Sequence, residues 1–149
     1  MKLAIGCDNL AVDLKNKIIE EFTKRGYEFK DFGVYNSDPM DYPDIAETVA
    51  KEVGAGNFER GILICGTGIG MQICANKIDG VYAAVCHDIY STERSILSNN
   101  CNMMCMGALV IGPATAETLV ERWLSLSFDE NGRSAGKVAK MRAIGGKKA

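Results

Sequence analysis

Gly61-Ile62-Leu63-Ile64-Cys65-Gly66-Thr67-Gly68-Ile69-Gly70-Met71 decides the reading of this chain. An apolar run of strand character ends on a cysteine, turns through glycines at every second position, and enters a segment, Met71 to Lys77, of helical character. Backbone N–H groups in such a loop point into one space with a helix dipole behind them, so an anion or a developing oxyanion is held there. A thiol at the strand end then stands beside an anion site, the setting in which cysteines become reactive. The plain alternative is a tight turn next to a structural cysteine. G-x-G-x-G is not the dinucleotide fingerprint, which needs an acidic partner about 20 residues further on. Nor is it a Walker A loop, which closes on Gly-Lys-Ser/Thr.

Working outward, short apolar runs alternate with longer amphipathic segments. Strands are expected at Lys2–Cys7, Glu28–Asp31, Gly61–Cys65, Ala83–Cys86 and Met103–Met106. Helices are expected at Leu10–Arg25, with Leu14, Ile18, Ile19 and Phe22 on one face, then at Tyr42–Val53, Gly70–Lys77, Ile89–Ser98 and Ala114–Ser127. Gly26 is placed to stop the first helix, and Ser37-Asp38-Pro39 begins a long polar loop. Repeated β-α units with right-handed crossovers give a parallel sheet covered on both faces, whose ligands bind beyond the carboxyl ends of the strands. At those ends lie Asp8 and Asn9, Cys65 and Thr67, and His87 and Asp88.

The chain has 149 residues, 47% hydrophobic and 24% charged, which is the composition of one ordinary globular domain. A net charge of −2 argues against a nucleic-acid partner, which calls for a basic face. No stretch has the length of uncharged apolar sequence that spans a membrane, and Met1–Cys7 reads as a first strand, not a signal peptide, so a cytoplasmic protein is expected. The 6 cysteines are Cys7, Cys65, Cys74, Cys86, Cys101 and Cys105. Most fall in apolar runs and read as reduced core thiols; without a C-x-x-C pair, and with His87 the only histidine, no metal site is expected. In the tail, Arg133, Lys137 and Lys140 recur at helical spacing on a segment with few apolar residues. Such a helix is either a solvated end or one that reaches a partner subunit.

Gly6-Cys7-Asp8, Asp41-Tyr42-Pro43-Asp44, the loop around Cys65, Ala75-Asn76-Lys77, Asn99 with Asn102, and Gly132-Arg133 together resemble the ribose-5-phosphate isomerase type B and galactose-6-phosphate isomerase family. The match runs in order from the first strand to the last helix, and the loop is its most specific element. The resemblance implies a Rossmann-like three-layer α/β/α sandwich with a five-stranded parallel sheet, one domain over residues 1–149. It implies a homodimer, often paired further into a tetramer, with the active site between subunits and a C-terminal helix at about 133–145 packed on the partner. The implied reaction interconverts an aldose phosphate and its ketose through a cis-enediolate, with no metal or organic cofactor. Cys65 would be the general base between C1 and C2, and Thr67 would handle the hydroxyl protons. The amides of Gly66, Gly68, Ile69 and Gly70 and the side chain of Asn99 would hold the enediolate oxygens, Asp8 the sugar hydroxyls, and Arg133 and Lys137 the phosphate.

Some positions depart from the family pattern. Asn9 stands where a phosphate-binding histidine is common, Ser98 where a histidine opens the furanose ring, Lys137 where an arginine is usual, and Leu109 where a basic residue is frequent. Serine does not shuttle protons near neutral pH as imidazole does, and lysine offers a point charge in place of a fork. Beside the ribose-5-phosphate isomerase B-like activity that the resemblance implies stand a different sugar phosphate, such as a tetrose or tetrulose phosphate that needs no ring opening or a hexose 6-phosphate of the galactose or allose type, or a substrate whose ring is opened elsewhere in the site. His87 is a candidate for that acid–base role; its plain reading is a surface or capping histidine beside Asp88. A non-catalytic subunit of a hetero-oligomeric isomerase is the alternative from another class, and retention of Cys65, Thr67 and Asn99 speaks against it.

Overall fold

The computed structural model describes residues 1–146. They form β1 (Lys2–Cys7), α1 (Val12–Lys24), β2 (Glu28–Asp31), α2 (Tyr42–Gly54), β3 (Arg60–Cys65), α3 (Ile69–Ala75), β4 (Ala83–Val85), α4 (Ile89–Leu97), β5 (Met103–Gly107), α5 (Pro113–Ser125) and α6 (Ala135–Ala143). The strands make one five-stranded sheet in the order β2-β1-β3-β5-β4, every pairing parallel. No helix of the described residues is long and apolar enough to cross a membrane.

Strands buried on both faces read as unbroken apolar runs, and period-2 alternation divides their side chains between two cores. Leu3, Ile5, Cys7, Ile62, Ile64, Met104 and Met106 face α1 and α5 and pack with Leu14, Ile18, Phe22, Leu119 and Trp123. Ala4, Leu63, Cys65, Met103 and Cys105 face the other way, onto Val49, Ala50 and Val53 of α2 and Met71 and Ala75 of α3. Each large side chain so buried contributes about 1.5–3 kcal/mol, and the two-sided core holds the strand ends in register.

Two helix ends differ from expectation because side chains compete for backbone groups. Asp8 Oδ1 accepts the Leu10 N–H at 2.9 Å, so residues 8–11 form a turn and α1 begins at Val12 instead of Leu10. At the other end of the fold, Asn76 stops α3 before Lys77. Its amide turns to the edge strand, donating to the Ala83 carbonyl at 2.9 Å and accepting the Ala83 N–H at 2.8 Å, which pairs β4 as a further strand would.

The segment after β2 continues along β1: Cys7 N–H donates to the Gly33 carbonyl at 2.7 Å and Val34 N–H to the Cys7 carbonyl at 3.0 Å. Lys15, fully buried, pins this strap. Its ammonium donates to both Asp31 carboxylate oxygens and to the Val34 carbonyl, each at 2.8 Å. Asp8 is the next residue, so its place at the sheet edge is fixed from both sides.

Candidate active site

Cys65 closes β3 at the carboxyl edge of the sheet, with its side chain on the α2/α3 face and 5% of its surface exposed. The chain then crosses the end of β5 at very short range. An added Cβ on Gly68 would lie 2.9–3.0 Å from the Met106 backbone, and one on Gly107 would lie 2.6 Å from the Gly66 carbonyl oxygen. Gly68 holds φ at +79°, a conformation that costs other residues strain, and it is the N-cap of α3. Ala108 and Leu109 donate their N–H groups to the carbonyls of Cys65 and Gly66 at 2.8 and 3.1 Å. With those carbonyls turned away and held, the N–H of Gly68 points back at the cysteine and donates to Sγ at 3.1 Å. Ile69 N–H donates to Thr67 Oγ1 at 3.3 Å. The loop therefore does two jobs: it aims one amide at the thiol and orients the exposed threonine hydroxyl beside it.

Three further side chains frame this loop. The phenol of Tyr42 lies on Gly70 so closely that a Cβ there would fall 2.7 Å from its hydroxyl oxygen. Leu10 and Leu109, both exposed, flank Gly66, their Cδ1 atoms 3.2 and 3.3 Å from where its Cβ would be. Asp8 is buried at the neighbouring strand end, with Asn9 half-buried beside it. Burial raises the Asp8 carboxyl above its ordinary range, against the Leu10 and Ala11 N–H groups, which lower it.

His87 follows β4, and its Nε2 accepts the Gly107 N–H at 2.8 Å. The ring is therefore unprotonated at that nitrogen, and burial lowers its basicity against the opposing pull of Asp88. Asp88, not His87, caps α4: its Oδ1 accepts the Ser91 N–H at 2.7 Å.

The remaining site residues lie elsewhere in the subunit. Ser98 ends α4, Asn99 follows it exposed, and both line a cavity of about 520 Å³ with Arg133, Ser134 and Lys137 at the start of α6. Asn99 also borders a cavity of about 480 Å³ against Tyr82, Ala84, Arg94 and Ser95. Cys65 and Thr67 line neither. The chain thus carries two separate clusters of candidate residues: thiol, hydroxyl, amides and carboxylate at the sheet edge, and amide and cations at the α4–α6 junction. Sequence reasoning gave no role to Arg94, which lines the 480 Å³ cavity four residues before Ser98, or to Tyr42 and Leu10, which frame the glycine loop. Among the described residues, no group of three or more His, Cys, Asp and Glu side chains is arranged to hold a metal ion.

The sequence profile of the ribose/galactose isomerase family matches residues 3–141. The chain is 51% identical over 144 residues to ribose-5-P isomerase B of Listeria innocua, covering 97% of each protein. It is 46% identical over 145 residues to D-erythrulose-4-phosphate isomerase of Pectobacterium atrosepticum, covering 95% of this chain and 93% of that one. The solved structure of Clostridium thermocellum ribose-5-phosphate isomerase B superposes with a TM-score of 0.94 at 41% identity over the full length of both chains. Glycine loop, strand-end thiol, sheet order and these similarities agree, and the chain belongs to the ribose/galactose isomerase family.

Proposed function

We propose that the chain interconverts an aldose phosphate and its ketose with Cys65 as the base, in a site that a second copy of the chain completes. The sugar-phosphate isomerase activity is that of its relatives; the roles below are our reading. The hydrogen bond from Gly68 N–H to Cys65 Sγ carries it. A carbon acid next to a carbonyl gives its proton to sulfur only if the oxyanion formed is stabilised by donors already in place. Cys65 takes the proton from C2 of the open-chain aldose, the electron pair moves into the C1–C2 bond, and the carbonyl oxygen becomes the enediolate oxygen. The same thiol returns the proton to C1, and Thr67 passes the hydroxyl proton from O2 to O1. The amides of Gly66 and Gly70 and the Asn99 carboxamide stabilise the charge, those of Gly68 and Ile69, expected to share in this, being engaged instead by Cys65 Sγ and Thr67 Oγ1, and Asp8 and Asn9 bind hydroxyls. A hydrogen bond to an ionised acceptor is roughly twice as strong as one between neutral partners, so the contact from Gly68 tightens when the sulfur ionises.

The separation of the two clusters, read as half-sites, supports a dimer. Arg133, Lys137 and Asn99 of one subunit then serve the thiol of the other, with α6, whose only fully buried residue is Val138, crossing between them. His87, held through Nε2, keeps Nδ1 for proton exchange with a substrate hydroxyl.

Ser98 supports a four-carbon substrate. A tetrose 4-phosphate has no free O4 hydroxyl with which to close a furanose, so it needs no ring opening. The test is a panel of four-, five- and six-carbon aldose phosphates in deuterated buffer, with Cys65→Ala as control. Exchange of the substrate C–H is expected with the native enzyme and is abolished by the substitution. Turnover of pentose phosphates alone refutes the substrate preference, and exchange that survives in Cys65→Ala refutes the base.

A further inference from the structure

We propose that Arg94 binds the tetrahedral oxyanion of the substrate alongside Arg133, as a further cation of the α4–α6 half-site. This rests on the sugar-phosphate reading of that half-site and adds a residue to it. Arg94 and Arg133, with Leu97, Asp129, Gly132 and Ser134, line a cavity of about 170 Å³ between the end of α4 and the start of α6. That is room for one oxyanion and a few waters, each of which takes up about 30 Å³ in the liquid.

Arg94 is under-used within the subunit. Its Nε is buried and has no hydrogen-bond partner, and Nη1 reaches only the Ser98 hydroxyl, at a long 3.5 Å. Among the described residues it makes no ion pair, whereas its neighbour Glu93 is taken by Arg122 at 2.8 Å. Its guanidinium carbon lies 5.8 Å from the centre of the Tyr90 ring, a contact that leaves the donor edge of the fork free. Buried donors are nearly always satisfied, and an arginine fork matches two oxygens of a phosphoryl or sulfonyl group.

The acid in the cavity, Asp129, forms an ion pair with neither arginine among the described residues. Asp129 turns onto its own loop, where Oδ1 accepts the Asn131 N–H at 3.0 Å and Oδ2 packs against Gly132. Ser134, the N-cap of α6, makes no side-chain capping bond. Ser98, short and neutral, offers the guanidinium no more than that one long contact, so it competes little for the fork. A cation at this point offsets the charge absent from Asn9 and Leu109.

Inorganic phosphate is the probe, titrated calorimetrically into the native enzyme, Arg94→Gln and the control Arg122→Gln. Arg94→Gln is expected to weaken phosphate at least 10-fold and to raise KM for sugar phosphates by a like factor, with kcat nearly kept, while Arg122→Gln leaves both unchanged. In the native enzyme, the Arg94 Nε–H resonance is expected to move on phosphate titration, a measurement that needs no stable variant. Unchanged phosphate affinity in folded Arg94→Gln, or a stationary Nε–H signal while phosphate binds, overturns the proposal. Phosphate binding through Arg94 without C–H exchange in any sugar phosphate would instead sink the isomerase assignment and leave this one standing.

Discussion

Replacing Gly68 by alanine tests the loop as a machine for aiming one amide. The residue sits at φ +79°, and a side chain there costs about 1–2 kcal/mol through its own backbone. The added Cβ also meets the Met106 nitrogen, Cα and carbonyl carbon at 2.9–3.0 Å. Met106 cannot retreat, because Ile64 of β3 pairs it on one side and the Gly107 N–H that follows it is held by His87 Nε2 on the other. The loop must move instead, at an overpacking cost of roughly 1–3 kcal/mol. The total, about 2–5 kcal/mol, is a large part of the ~5–15 kcal/mol that holds a typical domain folded. Movement of the loop takes the N–H away from Cys65 Sγ, and loss of one such donor or a comparable misplacement costs on the order of 100-fold in rate. Gly56→Ala supplies the reference: φ is again +79°, but nothing lies within 4 Å of the added methyl. Urea unfolding of the two variants isolates the steric part, and isomerisation kinetics isolate the functional part. Gly68→Ala should be at least about 1 kcal/mol less stable than Gly56→Ala, and it alone should lose activity. Equal stabilities with full activity in both would refute the claim that the close crossing over β5 aims the amide.

Lys15→Met leaves the Asp31 carboxylate without its buried partner and frees the strap beside Asp8. A loss of about 3 kcal/mol is expected by denaturant titration, with partial recovery in Lys15→Met/Asp31→Asn. Mixing Cys65→Ser with Arg133→Gln subunits under exchange conditions should restore activity that neither has alone, because half of the sites in a mixed dimer are intact; no recovery on confirmed exchange would place both residues in one subunit's site. His87 gives a pH signature. Its folded pKa is lowered, so between that value and the unfolded value near 6.5 the unfolded chain binds more protons, and stability falls as pH drops through this window. His87→Gln, which can still accept the Gly107 N–H, should flatten that slope, as read by thermal unfolding between pH 7.5 and 5. An unaltered slope would mean the proton goes elsewhere.

Much of the fold was legible because each central strand is buried on both faces. Lys2–Cys7 and Glu28–Asp31 carry the bounds their residue patterns suggest, and β3 gains only Arg60 and β5 only Gly107. Two of the misread ends belong to Asp8 and Asn76, whose side chains capture backbone groups that period and propensity do not register; α5 and β4 also stop short, at Ser125 and Val85 instead of Ser127 and Cys86. The thiol and glycine loop were readable as a unit, since strand, loop and helix are contiguous. Tyr42 on Gly70 was not, because only the placement of α2 against α3 brings them together. Nor did spacing show that Ser98 and Arg133 share a cavity apart from Cys65, which the return of α6 to the end of α4 brings about; a site between subunits was expected only from the family resemblance.

The choice of Cys65 over the other thiols rests on which way hydrogen bonds run. Cys7 and Cys86 act as donors, to the carbonyls of Val34 at 3.8 Å and Ala84 at 3.7 Å, and burial pushes both thiols above their ordinary range, Cys7 to about 11. Burial likewise pushes Cys101 up to about 12 and raises Cys105 well above its ordinary value. A thiol that donates must keep its proton to hold its place, and one enclosed in apolar core has nothing to favour charge. Cys65 Sγ instead accepts an N–H, from a glycine whose backbone no other residue adopts without strain. The contact that places this sulfur therefore needs no proton on it, which suits the base role proposed for Cys65. A neutron or ultra-high-resolution X-ray structure should find the Gly68 hydrogen directed at Sγ in both the free and inhibitor-bound enzyme; a Gly68 N–H directed elsewhere in either would remove the reason to prefer this cysteine.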